Sequence, residues 1–324
     1  MTLFIDEASV SELLSVEESF RLVSQAFAAY GRGSIINMPR QRLRHGEETV
    51  RITAALDEDE GYLGVKVSSS VVFGRDVGRT LTLHELSTGR MCAVIQVFHL
   101  GGLRTGAVSG VATEFLARSD AEVVGVIGTG RQARTQVAAI RRVRAVRRVQ
   151  VYGRNHRNRD LFLDSLRSPD LEVIACETAR QSTEGADIVV TATSATTPVL
   201  LGEWLSPGMH INAIGANLES RRELDSAVIT RSDLIAVDEI AQSRYEATDL
   251  VQPLAEGLLD WDEIRSLGSI VAGLEDGRKS SDDISLFKSV GTAIGDIQMA
   301  VQVYKRALER GLGMNLPDLA GVLP

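Results

Sequence analysis

The sequence holds only two cysteines, Cys92 and Cys176, far apart and each inside an apolar, strand-like run. A disulfide framework is thereby excluded, and both read as reduced core residues of a cytoplasmic protein. The five histidines, His45, His84, His99, His156 and His210, form no pair at ligand spacing, so no metal site is expected. No apolar stretch approaches the roughly 20 residues that span a bilayer, and the first residues, MTLFIDEASV, are acidic, unlike a basic leader. A basic excess is also missing. With 35 Lys and Arg against 43 Asp and Glu, the formal net charge is -8, which argues against nucleic acid as the main partner. No low-complexity tract, internal repeat or Pro/Ser-rich linker divides the chain.

What remains is the composition of an ordinary globular protein, 44% hydrophobic and 24% charged over 324 residues. Such a length fits two domains sharing a cleft and needs no covalent or metal staples. Ser15 with Glu18 makes a capping box, and Phe20, Val23, Phe27 and Tyr30 follow at helical spacing until Gly31 and Gly33 stop the helix. Short extended runs come next, at Arg51–Ala55, Gly64–Val67 and Thr80–Glu85. Ser87-Thr88-Gly89 turns the last of these into Met91–Ile95. Gly101-Gly102 breaks the pattern, and a helix is predicted from Ala107 to Ala117.

At Glu122 the pattern changes. Val123–Ile127 is continuously apolar, as a strand buried on both faces is. A helix is predicted from about Gln132 to Val143, and strands at Val149–Tyr152, Leu171–Ala175, Asp187–Ala192, His210–Ile214 and Leu234–Val237. This alternation predicts an α/β fold: a Rossmann doubly wound parallel sheet inserted into an α+β domain. The inserted domain is expected over 120–290 and the other over 1–119 plus 291–324, closed by a helix from about Val290 to Arg310.

Gly128-Thr129-Gly130-Arg131-Gln132-Ala133 directly follows a buried strand and opens a helix, the context of a dinucleotide fingerprint. Gly128 permits the tight turn, Gly130 the approach of a diphosphate, and Ala133 close helix packing; the helix N-terminus supplies amides and positive potential. The second strand runs on as Tyr152-Gly153-Arg154-Asn155-His156-Arg157 with no carboxylate to bond a ribose 2′-hydroxyl. Arg154, with Asn155 or Arg157, suits a 2′-phosphate, so NADP(H) is expected in preference to NAD(H), which stays open. The run Arg141, Arg142, Arg144, Arg147, Arg148 reads instead as a solvated face at a helix C-terminus.

Several segments together resemble the ornithine cyclodeaminase/mu-crystallin family over most of the chain. They are Asn37-Met38-Pro39-Arg40, Gly64-Val65-Lys66, Arg104-Thr105-Gly106-Ala107-Val108-Ser109, the glycine loop, Gly202-Glu203-Trp204, Pro207–Gly215, Arg222-Glu223-Leu224-Asp225 and Phe287-Lys288-Ser289-Val290-Gly291. The resemblance implies a substrate domain that dimerises through its strands and chemistry at the α-carbon of an amino or imino acid beside a nicotinamide. It implies carboxylate binding by Arg40, Lys66 and Arg104, and cofactor contacts from Thr80, Thr193, Ser194, Ser289 and Gly291. An arginine fork is the group best shaped for a carboxylate, and Arg104 is expected just before a helix whose amides would add to an anion site. If the segment around Arg40 is a strand, Arg42 and Arg44 share its face and the match could slip by two. Lys66, near two arginines and partly desolvated, is expected to have a lowered pKa and to move a proton.

One departure bears on the reaction. Gly215-Ala216-Asn217 has an amide at the position where the resemblance gives cyclodeaminases an aspartate, and asparagine cannot serve as a base. The acids Glu223 and Asp225 start the next helical segment and do not replace it. The expected activity is therefore NADPH-dependent reduction of an α-imino acid, either a cyclic ketimine or the open-chain imine of a 2-oxo acid. The alternatives are an amino-acid cyclodeaminase, an alanine dehydrogenase-like activity, and a non-catalytic dinucleotide-binding crystallin-like protein. Which amino or imino acid serves is not written in the sequence.

Overall fold

Ser15 and Glu18 make the reciprocal cap their spacing predicts. The Ser15 hydroxyl accepts from the Glu18 amide at 3.1 Å, and the Glu18 carboxylate accepts from the Ser15 amide at 3.2 Å. The computed structural model, which describes residues 2–45, 48–70 and 78–317, starts a helix there that runs to Arg32. Gly33, at φ 87°, ends it; Gly31 lies inside the last turn and takes no part in stopping it.

The chain divides into two compact units, Met1–Arg104 with Thr292–Pro324, and Thr105–Gly291. The first holds β1 (Thr2–Ile5), α1 (Glu7–Leu13), α2 (Val16–Arg32), β2 (Ile35–His45), β3 (Glu48–Asp57), β4 (Tyr62–Ser70), β5 (Arg79–Glu85) and β6 (Met91–Gln96). The division falls inside α3 (Phe98–Leu116), earlier than the change of pattern near residue 120 suggests. The second unit continues with β7 (Val123–Ile127), α4 (Arg131–Val143), β8 (Arg148–Tyr152), α5 (His156–Leu166), β9 (Glu172–Cys176), α6 (Ala179–Thr183) and β10 (Ile188–Thr191). It ends with β11 (His210–Ala213), α7 (Ser226–Thr230), β12 (Leu234–Val237), α8 (Ile240–Glu246), α9 (Thr248–Ala255), β13 (Ile264–Ser266), α10 (Leu267–Val271) and β14 (Ser285–Lys288). The chain then returns to the first unit as α11 (Ile294–Arg310) and β15 (Met314–Leu316); of the expected segment 291–324, residues 318–324 lie outside the described ones.

The first unit is a seven-stranded sheet in the order β15-β1-β6-β5-β4-β3-β2, antiparallel except where β1 runs beside β6. Alternation gives it two faces. Ile5, Ile35, Ala55, Leu81, Leu83, Ala93 and Ile95 are buried on the face that α2 and α11 cover. Ile36, Met38, Leu43 and Val67 stand exposed on the other.

The second unit is an all-parallel sheet in the order β13-β12-β14-β11-β10-β7-β8-β9. Its central strands bury both faces. Val124, Val126, Ile188 and Val190 join the core with Phe162, while Ile127, Val189, Ile211 and Ala213 join the core with Leu286. Continuous apolar runs are the sequence record of that two-sided burial. After β9 the chain crosses back to place β10 on the other side of β7, so the order reverses there, where ligands bind in open parallel sheets.

Two expectations are corrected. Gly101-Gly102 does not break the chain: α3 begins at Phe98 and runs through both glycines. Its first amides are taken by Glu7, whose carboxylate accepts from Phe98 and, at 2.9 Å, from His99. Nor is the arginine run uniformly solvated. Arg144 is half-buried and donates to the carbonyls of Thr113, Glu114 and Ala117, closing the C-terminus of α3.

Candidate functional site

In the first unit, a cross-strand row carries the polar group of interest. Thr53 of β3 opposes Lys66 of β4, which opposes the buried Leu81 of β5, so Lys66 stands on the helix-covered face. Gly64, two residues earlier on the same face, leaves room for α11: a Cβ there would sit 2.9 Å from Ile297 Cδ1. α11 thereby brings Asp296, fully buried, onto Lys66, and the two form an ion pair. Arg104 comes from the second turn of α3, its stem crossing α11 at Gly295, where a Cβ would lie 2.9 Å from Arg104 Cγ. Its Nε donates to Asp296 Oδ1 at 3.2 Å. Arg104 is thus inside a helix, not ahead of one, and the expected help from helix N-terminal amides is absent.

Arg40 reaches this group by an irregularity. The register of β2 against β3 shifts between Met38 and Gln41, a bulge that sets Pro39 and Arg40 together against Thr53. Arg40 therefore joins the row of Lys66, and its charge acts on that lysine. Asn37, on the same face, accepts from the Ala293 amide at 3.1 Å just before α11. Thr53, 3% exposed, has a hydroxyl with no hydrogen-bond partner among the described residues. Thr80 is not brought in: it opposes Val67 and Gln96 on the other face of the sheet.

The electrostatics follow from burial. Desolvation lowers the Lys66 ammonium to about 8, Asp296 works against the fall, and Arg104 and Arg40 add to it. Burial raises the Asp296 carboxyl, but Lys66 and Arg104 outweigh it and hold the group below the usual carboxylate range. Each cation uses one nitrogen on Asp296, and among the described residues the two terminal nitrogens of Arg104 have no hydrogen-bond partner. Buried donors left over around a saturated carboxylate make a receptor for a second one. Asp296 was not foreseen; its signal was a lone acid in the buried, apolar start of a C-terminal helix.

In the second unit, a cleft of about 730 Å³ opens at the reversal of strand order. It is lined by Gly128, Thr129, Gly130, Arg131 and Gln132 after β7, by Arg154 and Asn155 after β8, and by Thr193 and Ser194 after β10. Gly128 has φ 113°, and a Cβ there would lie 2.5 Å from the Ala192 carbonyl oxygen, so no other residue fits. Gly130 caps α4 without any side-chain bond to its amides and faces open space. Uncapped amides above a glycine cradle suit a diphosphate. Ala133 lies beneath, in the core. Asn155 accepts from the Asn158 amide at 2.9 Å as the cap of α5.

Two buried carboxylates shape the loops beyond this cleft. Glu223 accepts from the Thr193 amide and hydroxyl at 2.6 and 2.8 Å, from the Gly215 amide at 2.7 Å and from the Thr191 hydroxyl at 2.9 Å. It does not start a helix; Asp225 alone does, capping α7. Asp238 takes the Ser289 hydroxyl at 2.8 Å and the Gly291 amide at 2.7 Å. The hydroxyls of Thr193 and Ser289 are thus engaged by the protein, and neither Ser289 nor Gly291 lines the cleft. Asn217 is half-buried in the loop after β11. Among the described residues no cluster of three metal-binding side chains occurs, and no helix is long and apolar enough to cross a membrane.

Known proteins resemble this chain over nearly its whole length. The chain is 34% identical to the solved Delta(1)-pyrroline-2-carboxylate reductase of Thermococcus litoralis, in complex with NADH and L-proline, with a TM-score of 0.92 over 97% of this chain and 100% of that one. It is 30% identical to an alanine dehydrogenase of Archaeoglobus fulgidus over 97% of this chain and 98% of that protein. The solved iminosuccinate reductase of Paracoccus denitrificans, in complex with NAD+, is 27% identical with a TM-score of 0.89, covering 98% of this chain and 99% of that one. A profile of one family matches residues 1–311, and by that match the chain belongs to the ornithine cyclodeaminase/mu-crystallin family.

Proposed function

We propose that this protein reduces α-imino acids at the C=N bond with a nicotinamide dinucleotide as the reductant. The observation that carries the reading is the Lys66–Asp296–Arg104 group, a buried arginine and a largely enclosed lysine fixed through one buried carboxylate with donors left over. An α-imino acid presents a planar carboxylate, and the guanidinium fork of Arg104 matches it in shape and charge. Arg104 and Arg40 bind and orient that carboxylate, and fixing one end of a small acid supplies much of the rate. Lys66 holds the proton that the imine nitrogen must gain, and an ammonium with lowered proton affinity gives it up more readily. When bound, the nicotinamide supplies the hydrogen and electron pair taken up by the imine carbon. Gly128, Thr129, Gly130, Arg131 and Gln132 are the residues that would hold its diphosphate, with Thr193 and Ser194 beside them.

The reading extends to NADPH as the preferred donor. No carboxylate stands at the end of β8, and exposed Arg154 lines the cleft where a 2′-phosphate would lie. It extends also to a homodimer, since a second copy would cover the exposed Ile36, Met38, Leu43 and Val67. Asn217 favours net reduction over the loss of ammonia, having no carboxylate to act as a base. The test is a panel of cyclic imines and of 2-oxo acids with amines, followed by NADPH and NADH absorbance. Stoichiometric cofactor consumption with an imino acid is expected. Ammonia release from ornithine or lysine with only catalytic cofactor would overturn the proposal.

A further inference from the structure

Every residue from Ile294 to Val301 of α11 is buried, and Asp296 is the one carboxylate in that stretch. A charge in such a place is costly unless it is paired on all sides. Its two oxygens are divided: Oδ2 holds Lys66 and Oδ1 holds Arg104. From β2 the charge of Arg40 bears on the pair, and the strand register sets Arg42, Arg51 and Arg79 further along the same sheet face. α2 sets apolar Val23 beside Gly295, and its Glu18 is taken by Arg306 of α11. Asp296 is therefore the anion that Lys66 and Arg104 share, while the buried Asp57, further along the same face of β3, accepts from Gln298 of α11.

We propose that Asp296 is a positioning residue for the reduction: it keeps Lys66 in its protonated form and holds Arg104 by its inner nitrogen, so that the outer two serve the substrate carboxylate. The inference rests on the imine-reductase reading. In the step concerned, Lys66 Nζ passes its proton to the imine nitrogen as the carbon gains hydrogen and an electron pair from the nicotinamide. The products are the amino acid, the oxidised dinucleotide and a neutral lysine, which recovers its proton from water. Asp296 makes that recovery favourable. Without it, burial and the charges of Arg104 and Arg40 all oppose the protonated form of Lys66.

The experiment compares wild type and Asp296→Asn in two ways. One is the pH dependence of Lys66 acylation in the whole protein, read by mass spectrometry; the other is the pH profile of kcat/KM. The wild-type midpoint is expected near 8. In Asp296→Asn it should fall by roughly 1–3 units, carrying the alkaline limb of kcat/KM with it, while KM rises. Asp296→Glu, which keeps the charge, should restore the midpoint in part. If the asparagine variant does not fold, the glutamate variant carries the test, since its displaced carboxylate should still move KM and the midpoint. A folded variant whose midpoint and pH limb equal those of wild type overturns the proposal. Failure of wild type to reduce any imino acid would sink the reaction assignment instead, and the acylation midpoints would still decide whether Asp296 governs Lys66.

Discussion

Each unit buries a lysine–aspartate pair, and the two pairs are built to different ends. Lys288 and Asp249 lie 2.8 Å apart with both side chains fully enclosed. The second oxygen of Asp249 accepts the amides of Glu223 and Leu224, and Glu223 in turn accepts from Thr191, Thr193 and Gly215. Burial pushes the Glu223 carboxyl up even with Lys288 near it. All of these bonds close on the chain itself, so the network fixes the loops after β10 and β11. In the Lys66–Asp296 pair the lysine side chain is 12% exposed, and the companion arginine keeps its outer nitrogens. Lys288 and Asp249 meet as an enclosed ion pair outside hydrogen-bonding geometry and fasten the chain to itself, whereas the Lys66 group is partly open and its arginine keeps donors to spare.

The largest expected contrast comes from removing each lysine. Lys288→Met leaves Asp249 buried without its cation and should cost about 3–5 kcal/mol in denaturant unfolding. Lys66→Met should unfold nearer to wild type yet lose about 10²–10⁴ in kcat. Equal losses of stability would erase the distinction drawn between the pairs. A narrower cut is Arg104→Lys, which keeps the charge but not the fork, and should raise KM for imino acids about tenfold or more in steady-state kinetics. The pH profile sharpens the contrast further. With Lys66 as the proposed proton donor, reduction should decline as pH rises through about 8. The smallest effect is expected at the mouth of the parallel sheet. Arg154→Ser should lower the NADPH-to-NADH ratio of kcat/KM about tenfold, by losing one charge-assisted bond.

Much of the fold was legible because the second unit follows rules that act locally. Val123–Ile127 is apolar throughout since both faces of β7 are covered, and Gly128 is the residue its backbone conformation demands. The capping box at Ser15 likewise needs four adjacent residues and no more. What escaped notice depends on partners distant in sequence. Gly101-Gly102 looks like a break, but Glu7 caps the helix that passes through them. Arg144 looks like one cation among five until α3 supplies three carbonyls for it. Asp296 and Glu223 could be recognised only as acids in apolar surroundings, because their partners lie as far as 230 residues away. Lys66 and Arg104 were singled out from the sequence and meet in the fold, but the carboxylate that joins them was not foreseen.

The added residue in β2 has an implication for how such chains are matched to one another. Upstream of it, sequence position and sheet position run in step; downstream they are offset by one. Against a chain that lacks this bulge, a residue-by-residue comparison that crosses Pro39-Arg40 without a gap would place the wrong residue opposite Thr53. The dependable landmark is the neighbour across the strand, Thr53, and an arginine in a related chain is best identified by whether it lies opposite that position.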